Sequence, residues 1–237
     1  MKERGLTIAF FIISNKGVRR LQEYFKVLDD LSSFRNKKQM DEYYNYIKEE
    51  VSKNRQITEL IRLKKGRFKE FIEEYIPAYI FSKSVYFPEN AQIKIIIGNQ
   101  GYDALMKLED GLIEKLEFTS YIDGPREVEI AKSLNEKGIW RTRLSSLDTL
   151  EERRKHFLEE TQKNIDKKAT KNYSDVSLVF SIHIMELEQI PEHHDYRLQD
   201  KVREYIQATT FNAKEVFLII DDGGRTELID DRVIRIK

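Results

Sequence analysis

Two apolar runs in the last third of the sequence constrain the fold most. Residues 216–220 form an unbroken apolar strand, and residues 176–184 read as a second buried strand. Strands of this kind need cover on both faces of their sheet. Because a helical pattern at residues 197–208 separates the two runs, the sequence predicts a parallel crossover and therefore an α/β fold.

Three shorter strands are predicted earlier in the chain, at residues 92–97, 102–108 and 113–121. The turns between them are short, which favours an antiparallel meander. Helices are predicted at residues 125–138, with Pro125 at the first helical position and Gly138 as the stop, and at residues 147–168. The expected architecture is a mixed central sheet flanked by helices.

The N-terminal part of the sequence reads as helical. Apolar residues follow helical spacing at residues 17–56, and a further helix begins at residue 57, where Gly66 and Pro77 should bend or interrupt it. We therefore divide the chain into an N-terminal helical region, residues 1–56, and an α/β domain, residues 57–237.

Composition excludes several classes of protein. The chain has no cysteine, which rules out disulfides and thiolate metal sites and favours a reducing compartment. Its longest N-terminal apolar run, residues 6–13, is far shorter than the roughly 20 residues of a membrane span, and we interpret it as a buried first element. These features predict a soluble, cytoplasmic protein without a membrane partner.

Positive charge is concentrated in one stretch, although the net charge of the chain is zero. Residues 1–83 carry 18 Lys and Arg against 12 Asp and Glu, and residues 53–69 alone carry seven basic residues against one acid. Such a stretch can follow a phosphate backbone, and its candidate nucleic-acid contacts are Lys64, Lys65, Arg67 and Lys69. Charge alone also fits a solvated helix face, which is the commoner case.

Two carboxylates lie in the predicted meander. Asp103 is in its second strand and Glu117 in its third, although acidic residues are disfavoured in strands. Side chains alternate along a strand, so Lys115, Glu117 and Thr119 share one face. Carboxylates converging from neighbouring strands can hold Mg²⁺ or Mn²⁺, which lowers the pKa of a bound water. The alternative is that Asp103 ends a turn and Glu117 is an exposed strand residue opposite it.

The element order from residue 57 to about 185, together with the Asp…Glu-x-Thr spacing of Asp103, Glu117 and Thr119, resembles the PD-(D/E)XK nuclease superfamily, the restriction-endonuclease-like fold. The resemblance implies that Asp103 and Glu117 are catalytic metal ligands. Thr119 departs from the pattern, because it stands where the family has its lysine. Tyr102 replaces the proline of the motif.

Some members of this family place the lysine elsewhere, and Lys115 and Lys132 are the candidates in this sequence. The family often adds an acid from the first helix, where Glu70, Glu73 and Glu74 are available, and Glu74 is our choice as a third metal ligand.

The resemblance implies a metal-dependent nuclease that acts on DNA rather than RNA, of a kind often found in bacterial restriction or defence systems. The alternative is a catalytically inactive nuclease-like fold that serves as an interaction module for a protein or nucleic acid, with a homodimer or a protein partner. Other candidates are weaker. We interpret His183 as a satisfied core histidine, His156 as solvated, and His193-His194 as part of a loop.

Overall fold

The computed structural model describes residues 23–98, 100–121, 123–140, 147–184, 187, 198–221 and 232–237. Its centre is a six-stranded mixed sheet with the strand order β1-β2-β3-β5-β7-β8. The strands are β1 (Gln92–Ile95), β2 (Ala104–Lys107), β3 (Ile113–Ser120), β5 (Val176–His183), β7 (Val216–Asp221) and β8 (Val233–Arg235). A separate two-stranded parallel pair consists of β4 (Asn172–Tyr173) and β6 (Asn212–Ala213).

Strand pairing confirms both topological predictions. The first three strands pair antiparallel, as a meander, whereas β3, β5 and β7 pair parallel through helical crossovers. Strand β8 then pairs antiparallel with β7. The predicted strands are one or two residues longer than the observed ones at several ends, because turn residues with strand-like side chains flank them.

Six labelled helices surround the sheet. They are α1 (Lys37–Lys53), α2 (Arg55–Arg62), α3 (Phe68–Glu70, Phe71–Tyr75 and Ile76–Lys83 in succession), α4 (Gly124–Lys137), α5 (Leu147–Ala169) and α6 (Leu198–Ala208). Local chemistry sets their ends. Asn36 and Gln39 form a capping box at the start of α1, Asp123 accepts a hydrogen bond at the start of α4, and Gly138 ends α4 with a φ of 70°.

The break near Gly66 is confirmed, and near Pro77 the regular α-helix is interrupted by a π turn at Phe71–Tyr75. Lys64 and Gly66 have φ angles of 48° and 54°, which separate α2 from α3. Helix α3 then runs through Pro77, because the preceding residues, Phe71–Tyr75, form a π turn in which the N–H of Ile76 donates to the carbonyl of Phe71. Wider turns of this type are frequent at functional sites.

Each face of the sheet has its own hydrophobic core. Helices α1 and α3 cover one face, where Leu116 and Phe118 of β3 point. Helices α5 and α6 cover the other face, where Leu178 and Phe180 of β5 point. Glu117 lies between Leu116 and Phe118 and therefore faces the α5 side of the sheet.

The first core also crosses the predicted domain boundary at residue 57, since Met40 and Ile47 pack with Phe71 and Ile93. Among the described helices, none combines the length and the apolar character that crossing a membrane requires. The predictions for residues 6–13 and for His193-His194 fall outside the described residues.

Candidate active site

Asp103 comes directly before strand β2 and Glu117 lies in the neighbouring strand β3, so the prediction that Asp103 is within the second strand is off by one residue. The antiparallel register pairs Ala104 with Leu116, so Asp103, one residue earlier, faces Glu117, one residue later. The carboxylate of Asp103 accepts a hydrogen bond of 2.8 Å from the backbone N–H of Phe118, which fixes it against β3. Residues directly opposite each other in an antiparallel pair have their side chains on the same face.

A lysine from helix α5 completes this pair. Lys168 lies in the last turn of α5, and its Nζ is 2.5 Å from Oε1 of Glu117. Both side chains are almost covered, with 12% and 11% of their surface exposed. The hydroxyl of Tyr173 lies 3.4 Å from the same Glu117 oxygen. We refer to Glu74, Asp103, Glu117 and Lys168 as the carboxylate site.

Burial and charge act in opposite directions on Lys168. Burial lowers its pKa, but the hydrogen bond and the charge of Glu117 outweigh burial and leave the pKa above its ordinary value. Lys168 is therefore a protonated ammonium group at neutral pH, held against a carboxylate in a largely dry environment.

Asp103 has excess negative charge around it. Burial first, and then the charge of Glu117, raise the pKa of Asp103 to about 6. The N–H of Phe118 and the charge of Lys168 lower the pKa, but by less. A positive charge placed beside Asp103 would lower its pKa, because it favours the ionised form of the carboxyl group.

The charge of a third carboxylate, Glu74 in the π turn of α3, is coupled to the charges of Asp103 and Glu117. Burial first, and then the charges of Asp103, Glu70, Glu73 and Glu117, raise its pKa to about 8. Its Oε2 atom and that of Glu70 are buried without a hydrogen-bond partner. Buried polar atoms are normally satisfied, so these orphan oxygens indicate that a partner is missing.

A hard divalent cation fits this donor set. Carboxylate oxygens are the ligands that Mg²⁺ and Mn²⁺ prefer, and the raised pKa values of Asp103 and Glu74 are the ones a cation would relieve. Within the part of the chain that is described, no three or more His, Cys, Asp or Glu side chains form a ready-made metal cluster. Mg²⁺ often takes only one or two protein carboxylates and completes its shell with water and substrate oxygens.

The two lysines proposed from sequence lie outside the carboxylate site. Lys115 shares the strand face of Glu117 but lies nearer the start of β3. Its Nζ is 2.6 Å from Oδ2 of Asp175, the residue just before β5. Lys132 is exposed on α4, because the buried side of that helix is at Ala131 and the next residue projects about 100° away.

Thr119 does not replace the missing lysine either. Its hydroxyl exchanges hydrogen bonds with the side-chain amide of Asn164, at 3.1 and 3.4 Å. Asn164 lies one helical turn before Lys168 on α5, so Thr119 ties the end of this helix to β3.

Sequence reasoning missed Lys168, although a signal for it exists. The buried residues of α5 are Leu150, Arg154, Phe157, Leu158, Thr161 and Ile165. They recur at intervals of three and four, and Lys168 is the next member of that series. A lysine that continues a buried helical stripe requires an acidic partner, which is Glu117.

Three of the four basic residues proposed as nucleic-acid contacts form ion pairs with acidic side chains. Lys64 is 2.5 Å from Glu127 and 3.4 Å from Glu73, with 19% of its side chain exposed. Arg67 pairs with Asp29 at 3.4 Å and Lys69 with Glu73 at 3.9 Å, but both remain more exposed, and Lys65 is exposed as well.

The interpretation of His183 as a core histidine is wrong. It is exposed at the end of β5, with its Nδ1 2.8 Å from Oδ2 of Asp221, rather than buried in the core. His156 is exposed, as predicted, and its Nε2 lies 3.1 Å from the hydroxyl of Tyr121.

Comparison with known proteins found no matching protein family, no matching curated protein and no matching solved structure. The chemistry of the site therefore rests on its own geometry.

Proposed function

We propose that the chain is a metal-dependent nuclease of the restriction-endonuclease-like fold that hydrolyses phosphodiester bonds of DNA. The observation that carries the proposal is the largely covered ion pair of Lys168 and Glu117, beside Asp103, whose carboxylate is bonded to the N–H of Phe118 on the same strand as Glu117. Lys168 supplies, from helix α5, the positive charge that the Asp…Glu-x-Thr pattern lacks at Thr119.

In this proposal Asp103 and Glu117 hold Mg²⁺ or Mn²⁺, with Glu74 as a third oxygen donor. When bound, the cation supplies Lewis acidity toward the phosphodiester and lowers the pKa of a water molecule. The N–H of Phe118 keeps the carboxylate of Asp103 in place, and Lys168 and Tyr173 do the same for Glu117. The ligands are thus positioned before substrate arrives, which reduces reorganisation during the reaction.

Lys168 has a role that the carboxylates cannot take. Its ammonium group donates hydrogen bonds, and negative charge accumulates on the attacking and phosphoryl oxygens in the transition state. Because most of the Lys168 side chain is covered, water screens its charge only weakly. We assign it to orient the attacking water and to stabilise that developing charge.

A nucleic acid is the substrate class in this proposal, and the preference for DNA over RNA follows from the family resemblance. Lys65, Arg67 and Lys69 keep exposed positive charge near the start of α3, the helix that carries Glu74. Charges in this position can contact phosphates that flank the scissile bond.

The second candidate is a catalytically inactive interaction module with the same fold. The observation that favours it is Thr119, which bonds to Asn164 and leaves the family's usual position without a positive charge. In that case the Lys168–Glu117 pair stabilises the fold and has no substrate.

A cleavage assay separates the two candidates. Purified chain is incubated with double-stranded DNA, single-stranded DNA and RNA in Mg²⁺, Mn²⁺ or EDTA. We expect cleavage of DNA with metal, none in EDTA, and loss in Glu117→Gln. Glu114→Gln is the matched control, since Glu114 lies on the same strand but pairs with Lys214. A wild-type chain that binds nucleic acid or a protein but cleaves none of these substrates contradicts the nuclease proposal and supports the interaction module.

A further inference from the structure

We propose that the chain has a second binding site, a pocket for a nucleobase-bearing ligand at the carboxyl ends of strands β3, β5 and β7. The pocket has a volume of about 530 Å³, within the roughly 300–1,000 Å³ of small-molecule sites. Open α/β sheets bind ligands in the crevice outside the carboxyl ends of their parallel strands. We call it the strand-end pocket; its lining includes Tyr121, Ile130, His156, Phe157, His183 and Asp221.

A histidine–aspartate pair marks its floor. The parallel register places His183 beside Asp221, and their side chains meet with Nδ1 and Oδ2 2.8 Å apart. An ionised carboxylate only accepts hydrogen bonds, so Nδ1 of His183 donates to Asp221 and the second ring nitrogen, Nε2, is not used by this pair. The other seven residues of β5 are buried, whereas 55% of the His183 side chain is exposed. The imidazole is thus oriented and still accessible.

The walls of the pocket are aromatic and aliphatic. Tyr121 and Phe157 contact each other edge to face, with ring centroids 6.1 Å apart, and Ile130 of α4 adds an aliphatic surface. The hydroxyl of Tyr121 is anchored to Nε2 of His156 at 3.1 Å. Such walls accept the faces of a planar ring.

The charges around the pocket narrow the class of ligand. Both signs are present: Asp123, Glu127, Glu152 and Asp221 against Arg126 and Arg153. A bare phosphate would face several carboxylates, and a hydrocarbon would cover polar groups without satisfying them. Among the described side chains that line the pocket, no three are placed to hold a metal ion. A nucleobase has apolar faces and both donors and acceptors along its edge, which matches this mixture.

The strand-end pocket is distinct from the carboxylate site. His156 and Lys168 lie on the same helix, α5, and twelve residues of α-helix span about 18 Å. The proposal does not rest on the nuclease function, because no residue of the carboxylate site lines the pocket. The ligand has two sources with the same chemistry: a free nucleotide, or a base of a nucleic-acid strand.

Calorimetric titration of the full chain with AMP, GMP, CMP and UMP tests the proposal. We expect at least one to bind with a dissociation constant of about 0.1 mM, and about tenfold more weakly in His183→Asn. Ile130→Trp, which fills the pocket without altering the histidine–aspartate pair, should abolish binding. Lys155→Met is the matched control, because Lys155 is exposed next to His156 on α5 and lies outside the pocket.

Further titrations separate the two sources and the alternatives. If His183→Asn and Ile130→Trp weaken binding of a single-stranded oligonucleotide as well, the ligand is a base in a strand; if only the mononucleotides lose affinity, it is a free nucleotide. Glu117→Gln should bind nucleotides normally even if it loses cleavage. Three results would overturn the proposal. They are no binding of any nucleotide, binding of inorganic phosphate as tight as that of the nucleotides, and unchanged nucleotide affinity in both pocket variants.

Discussion

The basic stretch of residues 53–69 and the carboxylate site differ in what becomes of their charges when the chain folds. The stretch has seven positive charges, but Lys64 is held between two carboxylates, and Arg62 donates to the carbonyl of Leu134 and the side chain of Asn135. The carboxylate site has few charges, but they are concentrated and poorly hydrated, as the raised pKa values of Asp103 and Glu74 indicate.

This difference shows that the number of charges in a segment says little about the field it produces. Exposed ion pairs contribute little because water screens them. Like charges that share a covered site repel each other strongly, so binding of a counter-charge there is favourable. The contrast is open to test at both regions.

The largest expected effect is at Lys168. Lys168→Met should reduce metal-dependent cleavage by about 10²–10³-fold, because the transition state loses its covered positive charge. Lys167→Met is the matched control, since Lys167 precedes it on α5 and is exposed. Cleavage rates under single-turnover conditions check this. Equal rates for the two variants would mean that Lys168 is only a structural partner of Glu117.

The next effect is the pH dependence of stability. The pKa of Glu74 rises from 4.5 to about 8 on folding, so the folded state keeps a proton that the unfolded state releases. The stability from this group is complete below pH 4.5 and is lost as the pH rises through 8. Glu74→Gln should therefore be more stable than wild type at pH 8.5, by about 1–2 kcal/mol after allowance for partial exposure.

Urea unfolding at pH 5 and pH 8.5 measures this difference, with Glu42→Gln as the control because Glu42 is exposed on α1. Mg²⁺ should stabilise the wild type more at pH 8.5 than at pH 5, since a metal competes with protons for these oxygens. A Glu74→Gln variant with the same pH profile as wild type would show that the glutamate is already charged.

A smaller effect separates Lys64 from its neighbour Lys65. Lys64→Met should lower the free energy of unfolding by roughly 1 kcal/mol, because it leaves Glu73 and Glu127 without their shared partner. Lys65→Met should leave stability unchanged but reduce the salt dependence of DNA binding by about one counterion. Binding isotherms at several salt concentrations are the measurement, and a salt slope that changes only in Lys64→Met would reverse the assignment.

The smallest effects are expected at the two lysines that the sequence offered. Lys115→Met and Lys132→Met should each keep cleavage within about twofold of wild type, because Lys115 pairs with Asp175 and Lys132 is exposed. The same single-turnover assay applies. A large loss in either variant would mean that the lysine moves into the site when DNA binds.

Local patterns in the sequence were sufficient for most of the fold. Alternation and short turns located the meander, and the apolar run at residues 216–220 indicated the parallel strands. They were also sufficient to bring Asp103 and Glu117 together, although Asp103 lies one residue before β2 rather than within it. They did not identify Lys168, because its partner is 51 residues away and its position on the buried side of α5 depends on packing.

The π turn escaped prediction for a similar reason. Nothing in the residues 71–75 distinguishes a five-residue π turn from α-helix, and Pro77 reads as a helix breaker. The wider turn is selected by how α3 packs on the sheet, where Phe71 and Tyr75 are both buried.

That π turn also sets the rotational phase of the helix. A π turn contains one residue more than an α-turn of the same span, and one residue corresponds to about 100° of rotation about the helix axis. Deleting a single residue within 71–75 would convert the π turn into an α-turn of the same span, so the parts of α3 before and after it would keep their relative orientation. A deletion elsewhere in α3 would instead rotate one end of the helix by about 100° against the sheet, so the π turn is the place where this helix best tolerates the loss of a residue.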